Sequence, residues 1–292
     1  MKAIKGYIEL MRVPQWVKNL FVVAPVFFSG HIVESGFLIG GIVAFVAFCL
    51  ASSSIYCLND VVDVERDRLH PTKCCRPIAM GAVSRREALT LMWLLAMGSL
   101  AVAVALSGWQ LAVVVAVYIV LNVMYSLGLK RYAILDVTIV SAGFLLRLEA
   151  GGIATGVVLS NWIVIITFLL ALLLAFGKRR DDLVILERTG NAMRDSIAGY
   201  NRRFLDIAMG VLVASVIIGY FLYTISPGVV AAAGTDRLYW TGMFVVVGLL
   251  RYMHIALVKD EAGSPTRILF SDTPLQLCIV GWVVTLFVIL YL

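Results

Sequence analysis

Charge is what this chain has least of. Only 14% of its 292 residues are Asp, Glu, Lys or Arg, against 61% hydrophobic and a mean hydropathy of +0.96. Soluble domains carry about 25% charged residues, so this composition excludes an ordinary soluble enzyme and places the chain in lipid. Histidine is scarce as well: His31, His70 and His254 are scattered. The five cysteines include the neighbours Cys74 and Cys75 but no paired CxxC spacing, which argues against a zinc site. No Ser-His-Asp or Cys-His arrangement suggests a covalent nucleophile. Linkers, low-complexity tails and a second soluble stretch are missing too, and a single polytopic membrane domain over residues 1–292 is the expectation. The first apolar run makes a poor signal peptide, because its polar start is long and no small-residue cleavage site closes it.

Apolar runs are what the chain has in abundance. Stretches near the ~20 residues that cross a hydrocarbon core fall at 17–33, 36–58, 88–107, 109–128, 133–155, 160–177, 205–225, 239–258 and 274–292. They predict an all-α integral membrane protein of about nine helices. Lys18, Pro25, Ser29, Gly30 and His31 interrupt the first run, so a short or broken helix is expected there. Basic residues favour the cytoplasmic ends of spans. With the N-terminus inside, every Lys and Arg except Arg147 and Arg237 falls on that side. This arrangement predicts a multi-pass protein of the inner (plasma) membrane with its C-terminus outside. The net charge of +6 thus serves topology and not nucleic-acid binding, and a basic inner face attracts anionic lipid headgroups and phosphorylated metabolites. Two inside loops, 59–87 and 178–204, hold most of the charge, and each follows an even-numbered span.

The first of them opens with "LNDVVDVERDRLHPTKCCRP", residues 58–77. Asn59, Asp63 and Asp67 are spaced i, i+4, i+8, and Asp60 lies three residues before Asp63, so a continuing helix puts all four on one broad face. Clustered carboxylates beside a membrane repel one another unless a cation compensates. Hard oxygen ligands in an open cluster suit magnesium, which takes waters and substrate phosphates as its remaining ligands. The competing reading is a solvated loop whose acids pair with Arg66, Arg68 and Lys73.

"NDVVDVERD" resembles the NDxxDxxxD signature of the UbiA superfamily of membrane prenyltransferases, and it ends the second span as that family requires. The neighbouring stretches "RVPQWVKNLFVVAP", "RDRLHPTKCCRPIAMG", "YSLGLKRYAILDV" and "AFGKRRDDLVILERTG" resemble the branch that moves 5-phosphoribose from phosphoribosyl diphosphate onto a decaprenyl-like polyprenyl phosphate. The resemblance covers most of residues 10–205. It implies a UbiA-like helical bundle with an active-site cavity facing the cytoplasm, and a product used in lipid-linked pentose and cell-envelope biosynthesis. It also implies magnesium held by Asn59, Asp60, Asp63 and Asp67, with the three aspartates as catalytic groups. Aromatic-accepting members carry a second motif of DxxxD type after the sixth span. Here "KRRDD" stands in that loop, and Lys178, Arg179, Asp182 and Glu187 suit a donor bearing a 5-phosphate as well as a diphosphate.

Further candidate contacts follow. Arg76 and Lys130 add positive charge where diphosphate departs, and Lys18 and Asn19 suit the lipid phosphate or the ribose hydroxyls. Arg147 lies so deep in a span that it is expected to face an internal polar cavity, pairing with substrate phosphate, Glu149 or Asp136. Asp136 has three readings: a ribose contact, a partner that orients Lys130, or an acid in a helix first turn. Tyr125 belongs to the family's "YxxxLK" pattern, and the Gly151–Gly152 pair reads as a helix-packing site. Nothing in the pattern argues against a homo-oligomer. Two rivals stand beside this reading: an aromatic prenyltransferase of the same fold using a polyprenyl diphosphate donor, and a non-enzymatic transporter. The transporter is disfavoured because the charges gather at one mouth and do not line a path through the midplane.

Overall fold

The computed structural model describes residues 2–68, 73–190, 195–260 and 265–291; His70 and Arg194 lie outside the described residues. Helices run over α1 (Lys2–Met11), α2 (Ala24–Phe28), α3 (Ser35–Val62), α4 (Val64–Arg68), α5 (Arg85–Ser107), α6 (Trp109–Leu127) and α7 (Leu135–Thr155). They continue with α8 (Asn161–Thr189), α9 (Arg202–Thr224), α10 (Pro227–Ala233), α11 (Gly242–Leu257), α12 (Pro265–Ser271) and α13 (Thr273–Tyr291). No strand occurs among the described residues.

Eight helices among these residues are long and apolar enough to cross a membrane. They fall on eight of the nine predicted runs and match seven of them closely. The first run differs: residues Val13–Val23 form a 3-10 helix, and only the short α2 follows. Pro14 and Pro25 supply no backbone N–H and restrict the preceding residue, and the polar side chains of Trp16 and Asn19 are tied to α3. The sixth run also differs. Its helix was predicted to end near residue 177 but extends as α8 to Thr189, because "KRRDDLVILERT" is rich in residues that tolerate helix. Gly190, at φ 71°, ends it in the left-handed conformation that glycine adopts without strain. Ser84, Ser160 and Asn201 cap the starts of α5, α8 and α9 through their side chains.

The chain divides into two compact units. The first comprises Met1–Phe27, His31–Leu129 and Leu146–Val158. Its centre is α3, which packs on α1, on the 3-10 helix, and on α5 and α6. The buried face of α3 is built of small residues, including Gly41, Ala44, Ala47, Ala51 and Ser52–Ser54, which let neighbouring backbones come close where lipid offers no hydrophobic drive between helices. Gly151 makes a similar approach: a Cβ there would strike the backbone of Val22, in keeping with the packing role expected of Gly151–Gly152. The second unit comprises Phe28–Gly30, Lys130–Leu145 and Leu159–Leu292. Its core joins Val137, Leu173, Phe176, Leu205, Met209, Tyr252 and Ile255, with α8 packed on α9, and α11 on α9 and α13.

Candidate functional site

The acidic motif lies where α3 ends. Asp63 adopts φ −92° and ψ 3°, which breaks the regular helix, yet its N–H still donates to Asn59 O at 2.9 Å and its carbonyl accepts from Asp67 N at 2.8 Å. The i, i+4, i+8 spacing therefore survives the break. Asp60 and Asp67 are only 2% and 3% exposed, and burying carboxylates demands positive partners. Arg76 supplies one: its Nη1 donates to Asp60 Oδ1 at 3.1 Å and to Asp67 Oδ2 at 2.6 Å. Arg12 also pairs with Asp60 Oδ1, and its guanidinium lies 4.9 Å from the ring centre of Tyr56. Arg12 holds φ 52° and ψ 48°, a conformation uncommon for a non-glycine residue, at the corner where α1 gives way to the 3-10 helix. Glu65, by contrast, is exposed and pairs with Arg68 and Arg85. The solvated-loop reading thus describes Glu65 but not Asp60 or Asp67.

A polar seam continues from this cluster along one face of α3. Cys49, Ser52, Ser53, Tyr56 and Asp60 recur at helical spacing and face the 3-10 helix. Trp16 Nε1 donates to Ser53 Oγ at 3.0 Å, and Asn19 Nδ2 reaches Cys49 Sγ and Ser52 Oγ, each at 3.2 Å. Asn19 Oδ1 in turn accepts from Arg147 Nε at 2.8 Å, and Arg147 Nη2 donates to Tyr118 OH at 3.0 Å. The same guanidinium lies over the rings of Tyr118 and Phe48, 4.8 Å and 5.6 Å from their centres. The half-buried Lys18 has Arg147 and Arg12 as its electrostatic neighbours. Of the residues expected to act, this unit therefore brings together Lys18, Asn19, Asp60, Asp67, Arg76 and Arg147. Asn59 binds Ser126, Asp63 is half-buried between its two motif partners, and Tyr125 is half-buried on α6.

The second unit treats its expected residues differently. Asp136 is fully buried. Arg179 Nε donates to its Oδ2 at 2.5 Å, Ser196 Oγ to the same oxygen at 3.0 Å, and Tyr200 OH to Oδ1 at 2.7 Å. Asp136 Oδ1 also accepts from Val137 N at 2.8 Å. Burial, then the bond to Asp136, pushes the Tyr200 phenol above its ordinary value of 10.0, so it serves as a neutral donor. The expectation that Asp136 orients Lys130 or pairs with Arg147 is corrected, because four donors already occupy its two oxygens. Arg179, expected to grip the donor, is 2% exposed and shared between Asp136 and Asp182, the latter at 3.1 Å. Lys178 and Lys130 are half-buried, and Glu187 is exposed, 3.8 Å from Arg202.

Arg180, which the sequence groups with Lys178 and Arg179 in the basic cluster suited to the donor, has partners that sequence reasoning did not find. It is 1% exposed, and it donates to Asp206 and Asp260 at 2.7 Å each and to the Ala256 carbonyl at 2.5 Å. Arg12, Tyr118, Ser126, Ser196 and Tyr200 were also missed. The available signal for Arg12 was its place in "RVPQWVKN"; the others sit in apolar or loop sequence with no spacing that marks them.

Among the described residues, no group of three His, Cys, Asp or Glu side chains is already drawn together as a metal site. Two carboxylates do converge on one cationic nitrogen, Arg76 Nη1. Two hard anionic oxygens around one positive position fit magnesium, whose other ligands are normally water and phosphate.

Known proteins resemble this chain in sequence and in architecture. Decaprenyl-phosphate phosphoribosyltransferase of Mycolicibacterium smegmatis is 37% identical over 99% of this chain and 93% of its own length. The protein of the same name from Corynebacterium glutamicum is 33% identical over 98% of this chain and 87% of its own. A UbiA homolog from Archaeoglobus fulgidus, solved bound to GPP and Mg2+, superposes with a TM-score of 0.73 over 98% of this chain and 99% of that one, at 19% identity. The pattern of the UbiA prenyltransferase family matches residues 20–277, which run through both compact units and most of the apolar helices. This is a multi-pass membrane protein, and the chain belongs to the UbiA prenyltransferase family.

Proposed function

We propose that this protein transfers 5-phosphoribose from phosphoribosyl diphosphate to a polyprenyl phosphate and releases diphosphate. The observation that carries the reading is near-full-length likeness to two decaprenyl-phosphate phosphoribosyltransferases. The sequence adds that "KRRDD" stands where an aromatic-accepting member has DxxxD, and the first unit adds a buried polar seam of carboxylates and cations.

The chemistry is substitution at the anomeric carbon of ribose. An oxygen of the lipid phosphate forms the new bond to that carbon, the bond to the diphosphate oxygen breaks, and the electron pair leaves with diphosphate. The attacking oxygen is already ionised, so no side chain has to take a proton from it. In this reading Asn59, Asp60, Asp63 and Asp67 hold magnesium, which when bound neutralises charge on the departing diphosphate. Arg76 and Arg12 keep Asp60 and Asp67 compensated without substrate and would add positive charge beside a bound diphosphate. Lys18 and Arg147 supply fixed positive charge for a phosphate, with Asn19 and Tyr118 holding Arg147 in place. The Asp136–Arg179 pair is assigned to structure.

We place the N-terminus and the substrate-binding face on the cytoplasmic side of the inner membrane, because basic residues concentrate at those helix ends. The test is a product assay. Purified protein with magnesium is given labelled phosphoribosyl diphosphate and polyprenyl phosphate, or in parallel polyprenyl diphosphate and 4-hydroxybenzoate. A labelled phosphoribosyl lipid from the first pair is expected. Product from the second pair alone would make the protein an aromatic prenyltransferase, and turnover of neither would favour transport.

A further inference from the structure

Ser126 lies on α6, is 1% exposed, and faces the amide of Asn59 at the end of α3. Its Oγ is 2.5 Å from Asn59 Oδ1 and 2.6 Å from the carbonyl oxygen of Asn122, four residues earlier on its own helix. A serine hydroxyl has one proton to give and two lone pairs to receive with. With the Asn59 carbonyl oxygen against Ser126, two acceptors compete for that proton, and one close pair of oxygens has none between them. A half-turn of the Asn59 amide removes the conflict, since the two ends of an amide have the same shape and hydrogen bonding decides between them. Asn59 Nδ2 then donates to Ser126 Oγ, and Ser126 donates to Asn122. The turn asks the Asn59–Ser126 contact to lengthen by a few tenths of an ångström, to the usual N–H···O range. That is a smaller cost than a buried oxygen pair with no proton.

We propose that Ser126 is a positioning residue. It fixes the amide of Asn59 so that the nitrogen is spent on Ser126 and the carbonyl oxygen is presented, as a hard ligand, on the helix end that carries Asp60 and Asp63. The inference rests on the proposed magnesium role of the motif and deepens it. An asparagine can offer either a donor or an acceptor to a site, and only the acceptor serves a cation. Ser126 makes that choice without touching metal or substrate.

The experiment reads metal binding directly. Mn2+ is titrated by electron paramagnetic resonance into full-length protein in detergent, with phosphoribosyl diphosphate present. The variants are Ser126→Ala, Ser126→Thr, Ser126→Cys, Asn59→Asp and the double variant Ser126→Ala/Asn59→Asp. Loss of a partner that orients a metal ligand weakens affinity by about 10–100-fold, so Ser126→Ala should raise the dissociation constant at least about tenfold, while Ser126→Thr, which keeps the hydroxyl, stays near wild type. In the Asn59→Asp background the effect of Ser126→Ala should vanish, because a carboxylate presents an oxygen whichever way it turns. Wild-type affinity in Ser126→Ala overturns the proposal. So does an equal loss in both backgrounds, which would mark Ser126 as merely structural. Should Ser126→Ala fail to fold, Ser126→Thr and Ser126→Cys still decide: the threonine hydroxyl should keep wild-type affinity and the weakly accepting thiol should lose it, and weak binding by the first or wild-type binding by the second overturns the proposal. Absence of Mn2+ binding by the wild type would instead overturn the parent reading of the motif, and this inference with it.

Discussion

Asp136→Asn separates a structural clamp from a substrate contact more sharply than any other substitution in this protein. Asparagine has the shape of aspartate, so the perturbation is electrostatic. In the native site Oδ1 accepts from Tyr200 and Val137 N, while Oδ2 accepts from Arg179 Nε and Ser196. An asparagine that keeps the first pair turns its NH2 group onto Arg179, setting donor against donor. The guanidinium, 2% exposed, keeps its 3.1 Å contact to Asp182. Removing one partner of a buried ion pair costs about 3–5 kcal/mol, and the surviving Asp182 puts this case near the lower end. Replacing both charges should relieve most of it, because no buried guanidinium is then left facing a donor. The assay is thermal unfolding in detergent followed by loss of helical circular dichroism. Asp136→Asn should unfold well below wild type, and Asp136→Asn/Arg179→Met above the single variant. Wild-type unfolding of Asp136→Asn together with a tenfold or greater loss of phosphoribosyl diphosphate affinity would refute the clamp and return both residues to the substrate.

The remaining expectations are brief. Asp60→Asn and Asp63→Asn should each abolish most turnover while the protein stays folded in detergent, since a lost metal-binding charge costs several kcal/mol of transition-state stabilisation; activity near wild type in both would remove the motif from the chemistry. Asp260 receives Arg180 from the interior and Arg202 from the surface, so Arg180→Met should destabilise more than Arg202→Ala, whose loss should be less than about 1 kcal/mol, an order that unfolding midpoints will test. The Arg180 hydrogen bond, set against a smaller opposing effect of burial, holds the Asp260 carboxyl below its ordinary 3.8. A depressed folded-state value means the stability from this group is complete above pH 3.8 and is lost as pH falls through the folded value. The midpoint difference between wild type and Asp260→Asn should therefore be constant near neutral pH and shrink only in strong acid.

What could be read in advance divides by the range of the interaction. Eight spans were legible because a hydrocarbon core imposes a length and a hydropathy that a run of side chains either has or lacks. The α8 extension was not, because helix beyond the bilayer no longer has to be apolar: "KRRDDLVILERT" looks like a loop to hydropathy and like a helix to propensity. The acidic motif was legible for a local reason too, since Asn59, Asp63 and Asp67 lie one turn apart along a single stretch of helix. The partners of that motif were not. Arg12 meets Asp60 across 48 positions, and Ser126 meets Asn59 across 67, and no periodicity connects residues on different elements.

The arginines show the same division most clearly. From sequence, Arg147 stands apart because it lies within a span, whereas Arg76, Arg179 and Arg180 are alike in being basic and near the end of an apolar run. Burial sorts them. Arg179 and Arg180, 2% and 1% exposed, are held by carboxylates from their own unit, and a buried guanidinium fixed on several sides by anions has little freedom to meet a substrate. Arg76 is about a quarter exposed along its side chain, and it bridges two carboxylates that belong to the motif itself. In the proposed reaction those two carboxylates would hold the metal, and Arg76, no longer needed to compensate them, would add positive charge beside the diphosphate. Asp60 and Asp67 are held together by a cation in this structure, and the proposed departure of diphosphate calls for positive charge on the leaving group. Arg76 can meet both needs in turn, which is why its pairing with the acids supports a place in the reaction and does not count against one.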